Sequence, residues 1–240
     1  GPLNMVMVVV GAVEADQVFE LFENRLGNWH NPQAGMEPKF PQIDRPAKTL
    51  REHVPIMGKS QADIVMGTLG PKRCAPEYLA VSLGNNILGQ FGMMGRIGEV
   101  VREKAGLAYY ASTSVNAWIE GGSWEVSAGV NPVNVDKAIH LIIEELKRFK
   151  SEPVLRSELE DSQANYIGRM PLALESNAGV ANAILNLERF DLGLDYYQHY
   201  PQLVKEVTVE QVLQAAQQYL DPDKLVIASA GPGAGKEREA

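Results

Sequence analysis

Gly95-Arg96-Ile97-Gly98-Glu99-Val100-Val101-Arg102-Glu103-Lys104-Ala105-Gly106-Leu107-Ala108-Tyr109-Tyr110 reads as a helix, a glycine stop and the start of a strand. The pattern predicts a helix over Ile97–Lys104 and a left-handed cap at Gly106. Arg102 and Tyr109 then fall on either side of a tight corner. Arginine stays charged at any working pH, and a tyrosine hydroxyl donates one directed hydrogen bond. Held together, the two can grip a peptide carbonyl, because donors aimed at that oxygen stabilise the charge that amide hydrolysis builds there. The ordinary alternatives are an arginine that complements a helix C-terminus and a tyrosine that starts a strand. Tyr110 faces the other side of the strand and is expected to pack.

Upstream of the corner, Pro76–Leu88 reads as a helix with proline in its first turn. Gly89–Gly95 follows as a glycine-rich loop. Its Met93-Met94 pair suits apolar substrate or ordinary packing equally. Gly89, Gly92, Gly95 and Gly98 do not have the Gly-x-Gly-x-x-Gly spacing of a phosphate-binding turn. Downstream, Ala108–Ile119 and Ser123–Val130 form a hairpin joined at Gly121-Gly122. Helical patterns follow at about Val133–Lys150, Ser157–Arg169, Ser176–Asp191, Asp195–Val204 and Val209–Tyr219, then a strand at Leu225–Ala230. Glu144-Glu145 and Glu158–Asp161 read as solvated helix faces. At the other end, Met5–Val10 reads as a buried strand stopped by Gly11, and Glu14–Leu26 as a helix stopped by Gly27. Two strands, about Lys48–Pro55 and Gln61–Leu69, complete the set.

The chain has 240 residues, 45% hydrophobic and 22% charged, the balance of a globular protein that buries a sizeable core. Its net charge of −8 shows no basic stripe, so no nucleic-acid partner is expected. No membrane association is expected either, since Met5–Val10, the longest aliphatic run, falls far short of the ~18 residues of a spanning helix. The single cysteine, Cys74, allows no intrachain disulfide and fits a reducing, cytoplasmic compartment.

Pro222–Gly231 repeats the pattern of Pro2–Gly11, an apolar strand ending at glycine. The organisation expected from this echo is the end of an incomplete preceding repeat over 1–30 and a proline-rich linker over 31–47. A nearly complete α+β domain then spans 48–231, with a disordered tail over 232–240.

Several blocks in order carry a family resemblance: Asn4–Gly11, Gly58–Ala62, Asn85–Gly89 running through Arg102–Tyr109, and Val207-Thr208 through Leu220. Glu158-Leu159 and Glu175–Ala178 fit with them. The chain resembles the C-terminal half of the pitrilysin/insulinase-type zinc metallopeptidases, the family of mitochondrial processing peptidase. The resemblance implies an α+β fold, an antiparallel-rich sheet backed by helices. It also implies two halves enclosing a chamber, the other half carrying an inverted His-x-x-Glu-His zinc motif. Arg102 and Tyr109, seven residues apart, match the arginine and tyrosine through which the zinc-free half touches the substrate carbonyl.

None of His30, His53, His140 and His199 lies in His-x-x-Glu-His. His140 and Glu144 share a helix face, but a catalytic zinc needs three protein ligands. No cofactor is therefore expected in this chain, and zinc is expected in its partner half. The expected function is the substrate-binding, transition-state-stabilising half of a zinc metalloendopeptidase, inactive alone. Its partners would be a zinc-bearing homologous half or subunit and a peptide substrate, and a homodimer stays open. The alternative is a non-catalytic scaffold or interaction subunit of the same fold.

Overall fold

Alternating residues along four segments sort themselves onto one buried face, and that sorting builds the sheet. In β2 (Ala62–Gly70), Ala62, Ile64, Met66 and Thr68 are buried while Asp63 and Val65 are exposed. In β4 (Gly122–Val130), Trp124, Val126, Ala128 and Val130 are buried. β3 (Ala108–Ala117) turns Ala111 and Thr113 inward, and β5 (Val226–Gly231) turns Ile227 and Ser229 inward. This is the two-residue period of a sheet covered on one side. The structure is a computed structural model and describes residues 5–30, 40–92 and 95–232.

With β1 (Leu50–Pro55), these strands form one mixed sheet in the order β1-β5-β2-β4-β3. β5 pairs in parallel with β1, whereas its pairing with β2, and those of β2 with β4 and β4 with β3, are antiparallel. The last strand of the chain thus lies centrally, between the first two. The expected antiparallel-rich α+β architecture is present.

Helix α2 (Tyr78–Gly89) is buried at every position from Ala80 to Gly89. A helix apolar all round must be covered all round. α2 packs on β3 and against α8 (Val209–Tyr219), and α4 (Val135–Ser151) packs against α8 in turn. The polar atoms that this burial removes from water are paired. Trp124 Nε1 donates to Asn85 Oδ1 at 2.9 Å, and Thr113 Oγ1 to the Asn85 carbonyl at 3.1 Å. Asn86 Nδ2 donates to Ser162 Oγ at 3.0 Å, and Ser162 Oγ to the Leu83 carbonyl at 3.2 Å. Ser162 belongs to α5 (Arg156–Ala173), as does Tyr166, whose hydroxyl reaches the Ser82 carbonyl at 3.0 Å. Gly89 lets α2 approach β3 closely, because a Cβ there would lie 2.4 Å from the Thr113 amide nitrogen.

The chain divides into two compact units. Residues 43–166 and 202–240 form the unit that holds the sheet, and residues 1–42 with 167–201 form the other. The second unit contains α1 (Ala15–Leu26), which buries no residue, and α6 (Asn177–Arg189), capped by Ser176. It also holds most of α7 (Tyr196–Lys205), on which Tyr196, Tyr197 and Tyr200 cluster with ring centroids 5.3–6.4 Å apart.

Three expectations are corrected. Met5–Val10 is not a buried strand: it has no strand conformation, and Met5, Val6, Met7 and Val9 are 41–47% exposed. A strand exists only through a ladder partner, and among the described residues none pairs with it. Glu145 is not on a solvated face, since it is buried and held by Arg148 at 2.7 Å. The helix over Ile97–Lys104 is α-helical only at its start, as described below. The expected linker lies partly, the tail almost wholly and Met93-Met94 wholly outside the described residues.

The Gly89–Thr113 contact sets a testable limit. Gly89→Ala places a methyl group against backbone that cannot move aside, and should cost about 1–3 kcal/mol or more. Gly168→Ala, in α5 with open space around it, should instead stabilise by about 0.5–1 kcal/mol. Denaturant unfolding of both variants checks this; equal effects would refute the packing argument.

Candidate functional site

The corner begins at Gly95, whose φ of +62° and close backbone neighbours admit no side chain: a Cβ would lie 2.6 Å from the Ile87 carbonyl oxygen and the Gly89 amide nitrogen. This seats the short helix α3 (Gly95–Gly98) on the end of α2. The helix then widens. Glu99–Lys104 is a π-helix, not the expected continuation of an α-helix. Gly106, at φ +64°, ends it as expected. The Gly106 amide donates to the Arg102 carbonyl at 3.0 Å, and the Leu107 amide to the Val101 carbonyl at 3.0 Å. These are the nested bonds of a glycine cap, each one residue wider because the preceding turn is π.

A second irregularity follows. Ala108 pairs with Val130 and Tyr110 with Gly129, so Tyr109 is the extra residue of a β-bulge. Its side chain is 80% exposed. Tyr110 packs: its hydroxyl donates to Asp63 Oδ1 at 3.2 Å, and its ring occupies the space that a side chain at Gly129 would take. Burial, aided by the Asp63 charge and hydrogen bond, pushes the Tyr110 hydroxyl pKa up. Arg102 is half-buried, and its Nε lies 3.8 Å from Glu103 Oε1, too far for a hydrogen bond. The structure therefore places the two predicted residues at the two ends of a hydrogen-bonded corner. Among the described residues, neither head group is held by a close hydrogen bond.

Nothing in the residue pattern signals what anchors this corner. Arg96 donates to both carboxylate oxygens of Glu158, at 2.8 and 2.5 Å, across 62 residues of chain. Its guanidinium also lies over the Phe149 ring, 5.5 Å from the centroid. Glu158, expected on a solvated face, also accepts from the Leu155 amide at 2.7 Å and so closes the start of α5. Burial pushes its carboxyl pKa up, but the Arg96 and Leu155 hydrogen bonds and the Arg96 and Arg148 charges outweigh that and hold it below its ordinary range. Beside this pair lies a cleft of about 270 Å³, walled by Phe91, Arg96, Glu99, Glu103, Glu158 and Asp161 among others. It is acidic, and neither Arg102 nor Tyr109 is among its walls.

The histidines do not converge. His53 Nδ1 lies 2.9 Å from Ser229 Oγ, His140 is exposed on α4, and His199 pairs with Asp195 one turn before it. Among the described residues no group of three His, Cys, Asp or Glu is arranged to hold a metal ion. The described residues thus do not fit a zinc centre.

A family model described as peptidase M16 inactive domain matches residues 1–166. An uncharacterized zinc protease of Mycobacterium leprae is 27% identical over 98% of this chain and 53% of its own length. The solved peptidase M16 inactive domain from Pseudomonas fluorescens is 28% identical with a TM-score of 0.71, over 84% of this chain and 48% of that one. A protease from Helicobacter pylori shares the fold with a TM-score of 0.78 at 19% identity, over 93% of this chain and 54% of that one. The chain spans about half the length of these relatives.

The Arg96–Glu158 anchor makes stability depend on pH in a defined direction. A carboxyl whose folded pKa lies below its unfolded value adds stability above that unfolded value, and the gain is lost as pH falls through the folded one. Glu158→Gln should therefore cost on the order of 1–3 kcal/mol at neutral pH. That cost should shrink below about pH 4.5, the ordinary glutamate value. Urea unfolding of both proteins from pH 7 to pH 3.5 checks it, and parallel stability curves would refute it.

Proposed function

The chain belongs to the peptidase M16 inactive-domain family, and from that premise we propose that it acts as the substrate-binding half of a two-part zinc metalloendopeptidase. In this assembly Arg102 and Tyr109 bind the carbonyl of the scissile peptide bond. The metal centre, which supplies activated water, belongs to the other half.

The observation that carries this reading is the pair of backbone irregularities. Arg102 lies in a π-helix and Tyr109 on a β-bulge, with a glycine-capped turn between them. Both features cost regular hydrogen bonding, and both are over-represented where a side chain must be aimed. The nested Gly106 and Leu107 bonds fix the backbone, so little entropy is lost there when substrate is bound. The exposed phenol and the loosely paired guanidinium remain available as donors. As water adds to the carbonyl carbon, negative charge grows on the carbonyl oxygen, and donors already in place stabilise it without rearranging. The acidic cleft beside Arg96 lies outside this role.

The test uses the chain combined with its zinc-bearing half. Arg102→Ala and Tyr109→Phe should each lower kcat/KM for peptide hydrolysis by about 10²–10³-fold, mainly through kcat. Unfolding of the free chain should change by no more than about 0.5 kcal/mol, because neither head group is packed. Unchanged hydrolysis in both variants would remove the assigned role. An assembly that never hydrolyses peptides would favour the scaffold alternative.

A further inference from the structure

Tyr109 and Tyr110 are the same side chain on adjacent residues, yet they meet opposite fates. Tyr109 is exposed, whereas Tyr110 is half-buried. The strand register shows how narrow the choice is. On one side of the bulge Ala108 pairs with Val130; on the other, Tyr110 pairs with Gly129 and Ala111 with Ala128. Sliding the bulge by a single residue would set Tyr109 against Gly129 and leave Tyr110 as the extra residue. Ala108, Ala111 and the pairs beyond them would keep their partners. The two arrangements contain the same ladder, so the choice between them falls to the side chains.

The sheet holds one seat for a tyrosine at this place. Gly129 is its floor: a Cβ there would lie 2.5 Å from Tyr110 Cε1 and 2.3 Å from Gln61 Nε2. Asp63 stands on the far side of that floor, because β2 pairs Asp63 with the same Gly129. Asp63 Oδ1 accepts from the Tyr110 hydroxyl at 3.2 Å and from Gln61 Nε2 at 2.8 Å. The ring therefore crosses a glycine and ends on a carboxylate that Gln61 holds in place. The seat takes one ring, and the tyrosine that does not occupy it is left to solvent.

We propose that the seat formed by Gln61, Asp63 and Gly129 is a positioning device for Tyr109. By capturing Tyr110 it fixes the bulge at Tyr109 and presents that phenol at the corner. Tyr110 and Asp63 are positioning residues: neither touches substrate, and both act by keeping Tyr109 out of the seat. A hydrogen bond to a charged acceptor is stronger than a neutral one, and here it selects between two backbone arrangements of equal content. One consequence is specific to this device. Without the Tyr110 hydroxyl, Tyr109 becomes the better occupant, so the bulge shifts and an intact Tyr109 is withdrawn. This rests on the role given to Tyr109 above.

Nitration of the free chain, mapped by mass spectrometry of its fragments, tests the device without any hydrolysis. Nitration needs an accessible phenolate, and Tyr110 is half-buried with its hydroxyl pKa raised. In the unaltered chain Tyr109 should react and Tyr110 should be protected. In Tyr110→Phe the reaction at Tyr109 should slow by about tenfold or more. Adding Asp63→Ala removes the acceptor, and Tyr109 should then regain most of its original rate. Combined with the zinc-bearing half, Tyr110→Phe should lower kcat/KM for peptide hydrolysis by about tenfold or more, mainly through kcat, and Asp63→Ala should restore most of it. Undiminished nitration of Tyr109 in Tyr110→Phe overturns the proposal. So does a Tyr110 that reacts as fast as Tyr109 in the unaltered chain, or a double variant that stays slow. If nitration follows the expected pattern while hydrolysis ignores Tyr110→Phe, or never occurs, the catalytic role of Tyr109 falls and the seat stands. If Tyr109→Phe impairs hydrolysis but Tyr110→Phe leaves Tyr109 as reactive as before, the seat falls and the catalytic role stands.

Discussion

Burial of α2 from Ala80 to Gly89 is the constraint from which the rest of the sheet-bearing unit follows. A helix with no solvated face can exist only where neighbours cover it and accept its polar groups. The sheet supplies Trp124 and Thr113 to Asn85, and α5 supplies Ser162 and Tyr166 to Asn86 and to the Leu83 and Ser82 carbonyls. α8 closes over Gly84, where Val212 comes within van der Waals reach. Each of these pairs matters more for being buried, because an unmet polar group there costs about 1–3 kcal/mol.

The corner inherits its position from that helix. Gly89 lies against Thr113, Gly95 lies against Gly89 and Ile87, and Arg96 reaches Glu158 while covering Phe149. Phe149 in turn meets Trp124 edge-on at 6.4 Å. The π-helix and the bulge are thus set between a packed helix on one side and a hydrogen-bonded strand on the other. Two irregular stretches of backbone are tolerated because regular structure fixes both of their ends.

Much of this was legible in the chain itself. Strand-forming residues marked β2 and the β3–β4 hairpin, Gly121-Gly122 marked the hairpin's turn, and Gly106 marked the helix end. Arg102 and Tyr109 were marked by residue type and by a family resemblance. Other features were not legible, for physical reasons. A π-turn differs from an α-turn by one residue in its hydrogen bonding, and no residue type in Glu99–Lys104 announces it. The bulge at Tyr109 depends on β4 as much as on β3. Glu145 and Glu158 have the sequence signature of solvated glutamates, yet Glu145 is buried against Arg148 and Glu158 is half-buried against Arg96.

Met5–Val10 shows the limit most directly. Its residues determined that it would be apolar, extended in preference and stopped by glycine, because those properties belong to side chains and to local backbone. Whether it would be a strand was never theirs to settle, since a strand is defined by the edge it joins. By itself the sequence determined most of the elements, the class of fold and the residue types at the corner. The tertiary structure decided which glutamates are drawn into ion pairs, where the helix widens and which apolar run is unpaired among the described residues. Each of those depends on a partner many residues away, as the 62-residue reach from Arg96 to Glu158 illustrates.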